Sequence, residues 1–306
     1  VKKYRSLTLA MIALLAISGC SMAQPERWSA GEGPIKIVAS TNVWGSVANL
    51  VAGELATVDA IIYNSNQDPH SYELTARDQL LINNADIVIM NGGGYDDFIQ
   101  TAVDADPTPA ITVNAFMASG EDETRNEHIW YDVDQVGDVA AVIGAAIESV
   151  DESKFDQVEA SVSDFREKLA ERKVTLDKNI AMLRTAYVSL EQLSVFLTEP
   201  LVEYLVEDAG YKNATSAEFS EAVEEDRDIP PAVMKEAMDL IRRNGVGAIF
   251  VNSSTQTSQI ESLLSANPEM PVFGFSELLI QDPDTLEYDG GYFEMLDSAI
   301  MTVIGR

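Results

Sequence analysis

Short apolar runs alternating with helical patterns predict an α/β protein, built as two doubly wound parallel-sheet lobes joined by one long rigid helix. Three observations carry that expectation. Up to residue 114, β-branched runs of five to seven residues alternate with segments of helical spacing. From residue 151 to residue 199 the chain contains neither Gly nor Pro and repeats apolar residues every three or four positions. A second set of strand and helix patterns then follows to the C-terminus.

The N-terminal segment comes first and stands outside the fold. VKKYRSLTLAMIALLAISGC (1–20) starts basic at Lys2, Lys3 and Arg5, turns apolar from Leu7 to Ile17, and ends in small residues. This is the pattern of a secretory signal, too short and wrongly flanked for a membrane-spanning helix. Its end, Ile17-Ser18-Gly19-Cys20, resembles the lipobox of bacterial lipoproteins. That resemblance implies lipidation of Cys20 and anchorage at the outer face of the cell membrane. Cys20 is the only cysteine, so no intrachain disulfide can form and no thiolate is left to hold a metal. Residues 21–34, SMAQPERWSAGEGP, are small, polar and punctuated by Gly and Pro, as a flexible tether is.

The N-terminal lobe is expected over 35–150. KIVAST (36–41), TVDAIIY (57–63), DIVIMNG (86–92) and AITVN (110–114) are its buried strands, with helical spacing in VWGSVANLVAGEL and TARDQLLINNA between them. The linking helix is expected over 151–191. Phe155, Val158, Val162, Phe165, Leu169, Leu176, Ile180, Leu183, Tyr187 and Leu190 form its apolar stripe, interrupted near Arg172. About 30 residues at 1.5 Å each would reach roughly 45 Å, longer than a small domain is wide. The C-terminal lobe, 192–306, offers the strands SVFLTE (194–199), GAIFVNS (247–253) and PVFGFSE (271–277). Its helices start at Leu201 and run through PAVMKEAMDLIRR, TSQIESLLSA and GYFEMLDSAIMTVI.

The charge narrows the function. Twenty basic against 50 acidic residues give a formal net charge of −30, and loss of residues 1–20, with three positive charges and no negative one, takes it to −33. Such a surface repels nucleic acid and anionic lipid heads and attracts cations. Gly92-Gly93-Gly94 follows a strand, but the dinucleotide fingerprint and the Walker lysine are both missing, so it is read as a tight turn at a cleft rim. AVEEDRD (222–228) resembles an acidic cation site but is read as a solvated loop, and Trp44 and Trp130, which could wall the cleft, are read as core residues.

The two histidines of the chain, His70 and His128, attract the functional reading. Ligands of open parallel sheets bind beyond the carboxyl ends of the strands. His70 lies on the loop after TVDAIIY, and His128 follows the last strand of the first lobe. Glu199 ends SVFLTE and Glu277 ends PVFGFSE. Two imidazoles from one lobe and two carboxylates from the other therefore converge on one cleft. Imidazole and carboxylate are donor types that suit a divalent metal, and two carboxylates would balance such an ion's charge, but strand-end placement alone leaves surface or core roles for the histidines open.

DPHSYE (68–73) resembles the first histidine motif of the solute-binding lipoproteins of zinc and manganese ABC importers, and NEHIWYD (126–132) resembles their second. LTEPLVEYLVEDAG (197–210) is similar to the third motif, where the ligand is His in zinc-type members and Glu in some manganese-type members; Glu199 holds that position. FGFSELL (273–279) resembles the fourth, where the usual ligand is Asp and this chain has Glu277. The similarity runs from about Lys36 to the C-terminus and takes in ASTNVWG and GGGYDDF. It implies two α/β lobes joined by a single long helix and one divalent ion, Mn2+ or Zn2+, as cargo rather than cofactor. Its ligands would be His70, His128, Glu199 and Glu277. The implied partners are a membrane permease and its cytoplasmic ATPase, met by a monomer.

Oxygen-rich ligation favours Mn2+ relative to a three-histidine site, although zinc stands above manganese in the intrinsic affinity order. The histidine-rich loop of many zinc-specific relatives is absent, since both histidines are already assigned. Ligand histidines must lose their proton, so affinity is expected to fall as pH drops through roughly 6.5, the unperturbed imidazole value. A secreted metallohydrolase is the rival from another class. It would need an open coordination position and a general base, and no HExxH-like motif occurs. A surface adhesin is the third reading, with no sequence feature of its own. The chain is therefore read as a receptor and not an enzyme.

Overall fold

β-Branched side chains crowd a helix and pack well on a pleated surface, and here the apolar runs become strands. In the computed structural model, residues 33–64, 67–105, 110–122, 125–186, 192–225, 227–254, 257–279 and 291–305 are described. The signal, Cys20 and the tether up to residue 32 lie outside the described residues.

The first half runs β1 (Ile35–Thr41), α1 (Asn42–Ala52), β2 (Ala56–Ile62), α2 (Ala76–Asn83), β3 (Ile87–Met90), α3 (Asp97–Ala105), β4 (Ile111–Asn114), α4 (Ala115–Ser119) and α5 (Val136–Val150). Then come the long helix α6 (Phe155–Thr185), β5 (Ser194–Leu197), α7 (Glu203–Asp208), β6 (Lys212–Asn213) and α8 (Ala217–Glu224). The chain closes with α9 (Pro231–Arg242), β7 (Ala248–Asn252), α10 (Ser258–Leu264), β8 (Val272–Phe275) and α11 (Tyr292–Ile304). Two four-stranded parallel sheets result, ordered β2-β1-β3-β4 and β6-β5-β7-β8. β3 and β7 are buried at every position, as strands covered on both faces must be, while the edge strand β2 alternates in its first half. The two-residue strand β6 carries no apolar run and was not anticipated from the sequence.

Helix α6 is 31 residues long and buries Val158, Val162, Phe165, Leu169 and Leu176. A one-turn 3-10 helix (Glu152–Lys154) precedes it, and residues 187–191, expected as its end, lie outside the described residues. Phe155, expected on the apolar stripe, is half exposed. The interruption at Arg172 has a use: its guanidinium lies 4.3 Å over the Phe293 ring and 2.6 Å from the Asp297 carboxylate, both on α11. Gly144 lets α5 approach α6, since a Cβ there would come within 2.9 Å of Val158 and 3.0 Å of Val162.

The two sheets share one hydrophobic core. Ile87 from the first sheet, Trp44 from α1, Leu197 and Phe250 from the second sheet, and Phe165, Tyr292 and Leu296 from α6 and α11 belong to one cluster. Hydrogen bonds cross directly between the halves. Tyr131 Oη donates to Ser276 O (2.7 Å), Tyr204 Oη to Asn126 O (2.7 Å), and Tyr292 Oη to Trp130 O (2.8 Å). Asn42 pairs twice with the Leu279 backbone, at 3.0 Å each way. Residues Glu32–Arg306 thus form one compact unit with the site at the seam of its two sheets.

Candidate metal site

His70, Glu199, Asn252 and Glu277 lie at or beyond the carboxyl ends of strands, and His128 lies beyond α4 at the start of a 3-10 turn. The loop after β2 carries His70, whose backbone N–H donates to Asp68 Oδ1 (3.0 Å) while Ser71 Oγ donates to the other Asp68 oxygen (2.8 Å). This local turn presents the ring, 27 % exposed, edge-on to Tyr95 at 5.0 Å. The turn after β3 passes through Gly92, Gly93 and Gly94, all with positive φ. Gly92 is confined further, because a Cβ there would strike the Asn114 side chain at 2.4 Å. Asp96 closes the turn by accepting from the backbone N–H groups of Asn91 and Gly92 (2.6 and 2.8 Å).

His128 sits on a segment held from both halves. Its own N–H donates to Asn126 Oδ1 (3.0 Å), and Asn126 Nδ2 donates to Glu203 Oε2 on α7 (3.0 Å). The ring is fully buried, packed edge-on to Trp130 (5.1 Å) and Tyr95 (5.8 Å). Burial pushes His128 down to about 4, so the imidazole is neutral and ready to donate a lone pair. This corrects, for His128, the expectation of titration near the unperturbed value. Neither ring nitrogen has a hydrogen-bond partner among the described residues.

The second sheet supplies the acids. Glu199 follows β5 in extended conformation, and its Oε1 lies 3.8 Å from His128 Nε2. Glu277 follows β8. Between them stands Asn252, the last residue of β7, whose Nδ2 donates to both Glu199 oxygens (3.0 Å each) and to Glu277 Oε1. All three side chains are buried. Burial comes first, then repulsion from Glu199 and a hydrogen bond to it, in pushing the Glu277 carboxyl up to about 9. Two carboxylates this close cannot both ionise cheaply without a cation between them.

His128, Glu199 and Glu277 thus gather at the seam, with His70 on its solvent side. The geometry also brings in Glu127, which the sequence reading did not single out. Ligating atoms of His70, Glu127 and His128 all lie within 4.8 Å of one another. Asn252 and Tyr95 were missed as well. Asn252 was visible only as the polar end of GAIFVNS, and Tyr95 only as an aromatic residue after three glycines. Trp44 and Trp130 are buried as expected, and Trp130 meets the alternative reading too, since it packs against His128. In the run at 222–228, Glu225, Arg227 and Asp228 are exposed as expected, while Glu224, the last residue of α8, is half-buried. One Glu224 oxygen is buried without a partner among the described residues, and burial, then Glu127 and Glu199, pushes its carboxyl up to about 9.

A neutral buried imidazole, a second imidazole and paired carboxylates, with no sulfur, are the donors of a borderline or hard divalent ion. The fold and site together define a two-lobed binding protein for a metal cation. Residues 37–304 match the zinc-uptake complex component A (ZnuA) family, described as periplasmic, and the chain belongs to that family. The manganese-binding lipoprotein MntA of Halalkalibacterium halodurans is 24% identical over 257 residues, covering 83% of this chain and 82% of that protein. A periplasmic metal-binding protein from Candidatus Liberibacter asiaticus superposes with a TM-score of 0.71 at 19% identity, covering 89% of this chain and 98% of that one. The periplasmic zinc-binding protein TroA from Treponema pallidum gives a TM-score of 0.73 at 17% identity, with 89% and 99% covered. The protein is thus an extracytoplasmic metal-binding receptor of the kind that serves ABC importers.

Proposed function

We propose that this receptor is anchored by lipid at Cys20, binds one divalent transition metal through His70, His128, Glu199 and Glu277, and delivers it to the permease of an ABC importer. Mn2+ is the cargo preferred over Zn2+. The protein acts as a monomer and catalyses no reaction. The observation that carries this reading is the His128 ring, fully buried with both nitrogens unpartnered among the described residues and Glu199 Oε1 3.8 Å away. A buried polar atom left unpaired costs about 1–3 kcal/mol, which a coordinate bond more than offsets.

Delivery requires release. Hydrogen bonds cross directly between the halves and the shared core is continuous, which favours small shifts at the seam over a wide hinge closure. Zinc stands above manganese in intrinsic affinity for nearly any such donor set, so selection in the cell rests on supply and on which complex the permease accepts. Uptake of radiolabelled Mn2+ and Zn2+ by cells with and without this protein tests the cargo. Deletion is expected to abolish manganese uptake. Loss of zinc uptake with manganese uptake spared would overturn the choice of cargo.

A further inference from the structure

We propose that Glu127 is a fifth ligand of the cargo site and biases it toward ions that take more than four donors. The inference rests on the reading above that the site binds a divalent cation. Glu127 Oε1 lies 3.9 Å from His70 Nε2, and ligating atoms of His70, Glu127 and His128 are mutually within 4.8 Å. Donors bound at about 2.1 Å in an octahedron stand about 3.0 to 4.2 Å apart, so a small contraction brings this set onto one ion.

Its backbone is held in place. Asn91 Nδ2 and the N–H of Ile129 both donate to the Glu127 carbonyl, at 3.0 and 2.8 Å. On the preceding residue, the Asn126 carbonyl accepts from Tyr204 Oη (2.7 Å). Gly93 leaves room for the stem, since a Cβ there would come within 3.1 Å of Glu127 Cβ. The side chain is only 13 % exposed, and its one ionic partner among the described residues is His70. A carboxylate this sheltered without a fixed cation is poised for one that arrives. The unpartnered, fully buried His128 ring on the next residue is an independent sign that a ligand enters this cluster.

Two imidazoles and three carboxylates exceed a tetrahedron by one residue. Such a set favours Mn2+, which suits oxygen donors and higher coordination, over Zn2+, which prefers four ligands. A different role, in which Glu127 only orients the His70 ring through a hydrogen bond, would serve both metals equally.

The test is calorimetric titration of the purified protein and of Glu127→Gln with Mn2+ and, separately, Zn2+. The amide keeps an acceptor for His70 but is a poor ligand. We expect Mn2+ affinity to fall by roughly tenfold or more and Zn2+ affinity by no more than about threefold. Glu127→Ala should show the same split, and guards against mispairing of the amide. Equal losses for both metals, or changes within about threefold for both, would overturn the proposal. A protein that binds neither metal, or a His70→Ala, His128→Ala double variant that binds as well as the unaltered protein, would instead overturn the site reading on which it rests.

Discussion

At Glu277 a carboxyl is kept protonated far above its usual range because it is buried beside Glu199, although the Asn252 amide that donates to both acids pulls the other way. A metal ion needs the carboxylate, so binding must expel that proton. The sign follows from the raised value. Below about 9 the metal-free site carries the proton, and affinity should climb as pH rises, levelling off above that point. His128, pushed down to about 4, competes with the metal only in strong acid. Titration in buffers of differing ionisation enthalpy should therefore show close to one proton released per ion near pH 7, with affinity rising about tenfold per pH unit. Glu277→Gln should abolish the proton release. Release that is unchanged in that variant would assign the proton elsewhere. Much at this scale was legible in the sequence. Rarity drew attention to both histidines, and position at strand ends drew it to Glu199 and Glu277. Glu127 was hidden among 50 acidic residues, and Asn252 resembled any polar strand end. What distinguishes them is a neighbour far along the chain, which no local pattern records.

Among the elements, the long helix was the most legible, because 31 residues of 3–4 spacing leave little choice of period. Its start was less so. The turn at Glu152–Lys154 is 3-10, and Phe155 faces solvent although apolar. The break at Arg172 was visible but its reason was not, since Phe293 and Asp297 lie more than a hundred residues away. β6 was illegible for a simpler reason: two polar residues pair through backbone alone. The close approach of α5 to α6 at Gly144 gives a test of the rigid link. Gly144→Leu would drive a side chain against Val158 and Val162. It should cost about 1–3 kcal/mol in urea unfolding, while leaving the metal affinity of the folded protein unchanged. A neutral substitution would mean that α5 and α6 can slide apart and that the link is softer than its packing indicates.

For the whole molecule, the fold class follows from alternation of period, and the position of the site follows from the fold class. Two parallel sheets with their carboxyl ends at one seam leave one place where both contribute side chains. The net charge of −30 adds a field that concentrates cations there. What alternation cannot convey is how firmly the halves are joined: the core continuous through Trp44, Phe165 and Leu197, and the tyrosine hydroxyls of Tyr131, Tyr204 and Tyr292 crossing the seam, depend on tertiary packing. The central claim is that one ion sits at this seam, held from both sheets. Anomalous diffraction from crystals of the Mn2+-loaded protein, recorded at the manganese edge, tests it most directly. The account predicts a single strong peak within about 2.0–2.6 Å of His70, His128, Glu199 and Glu277 donor atoms. A peak lying elsewhere, or one contacting residues of a single sheet only, would contradict it.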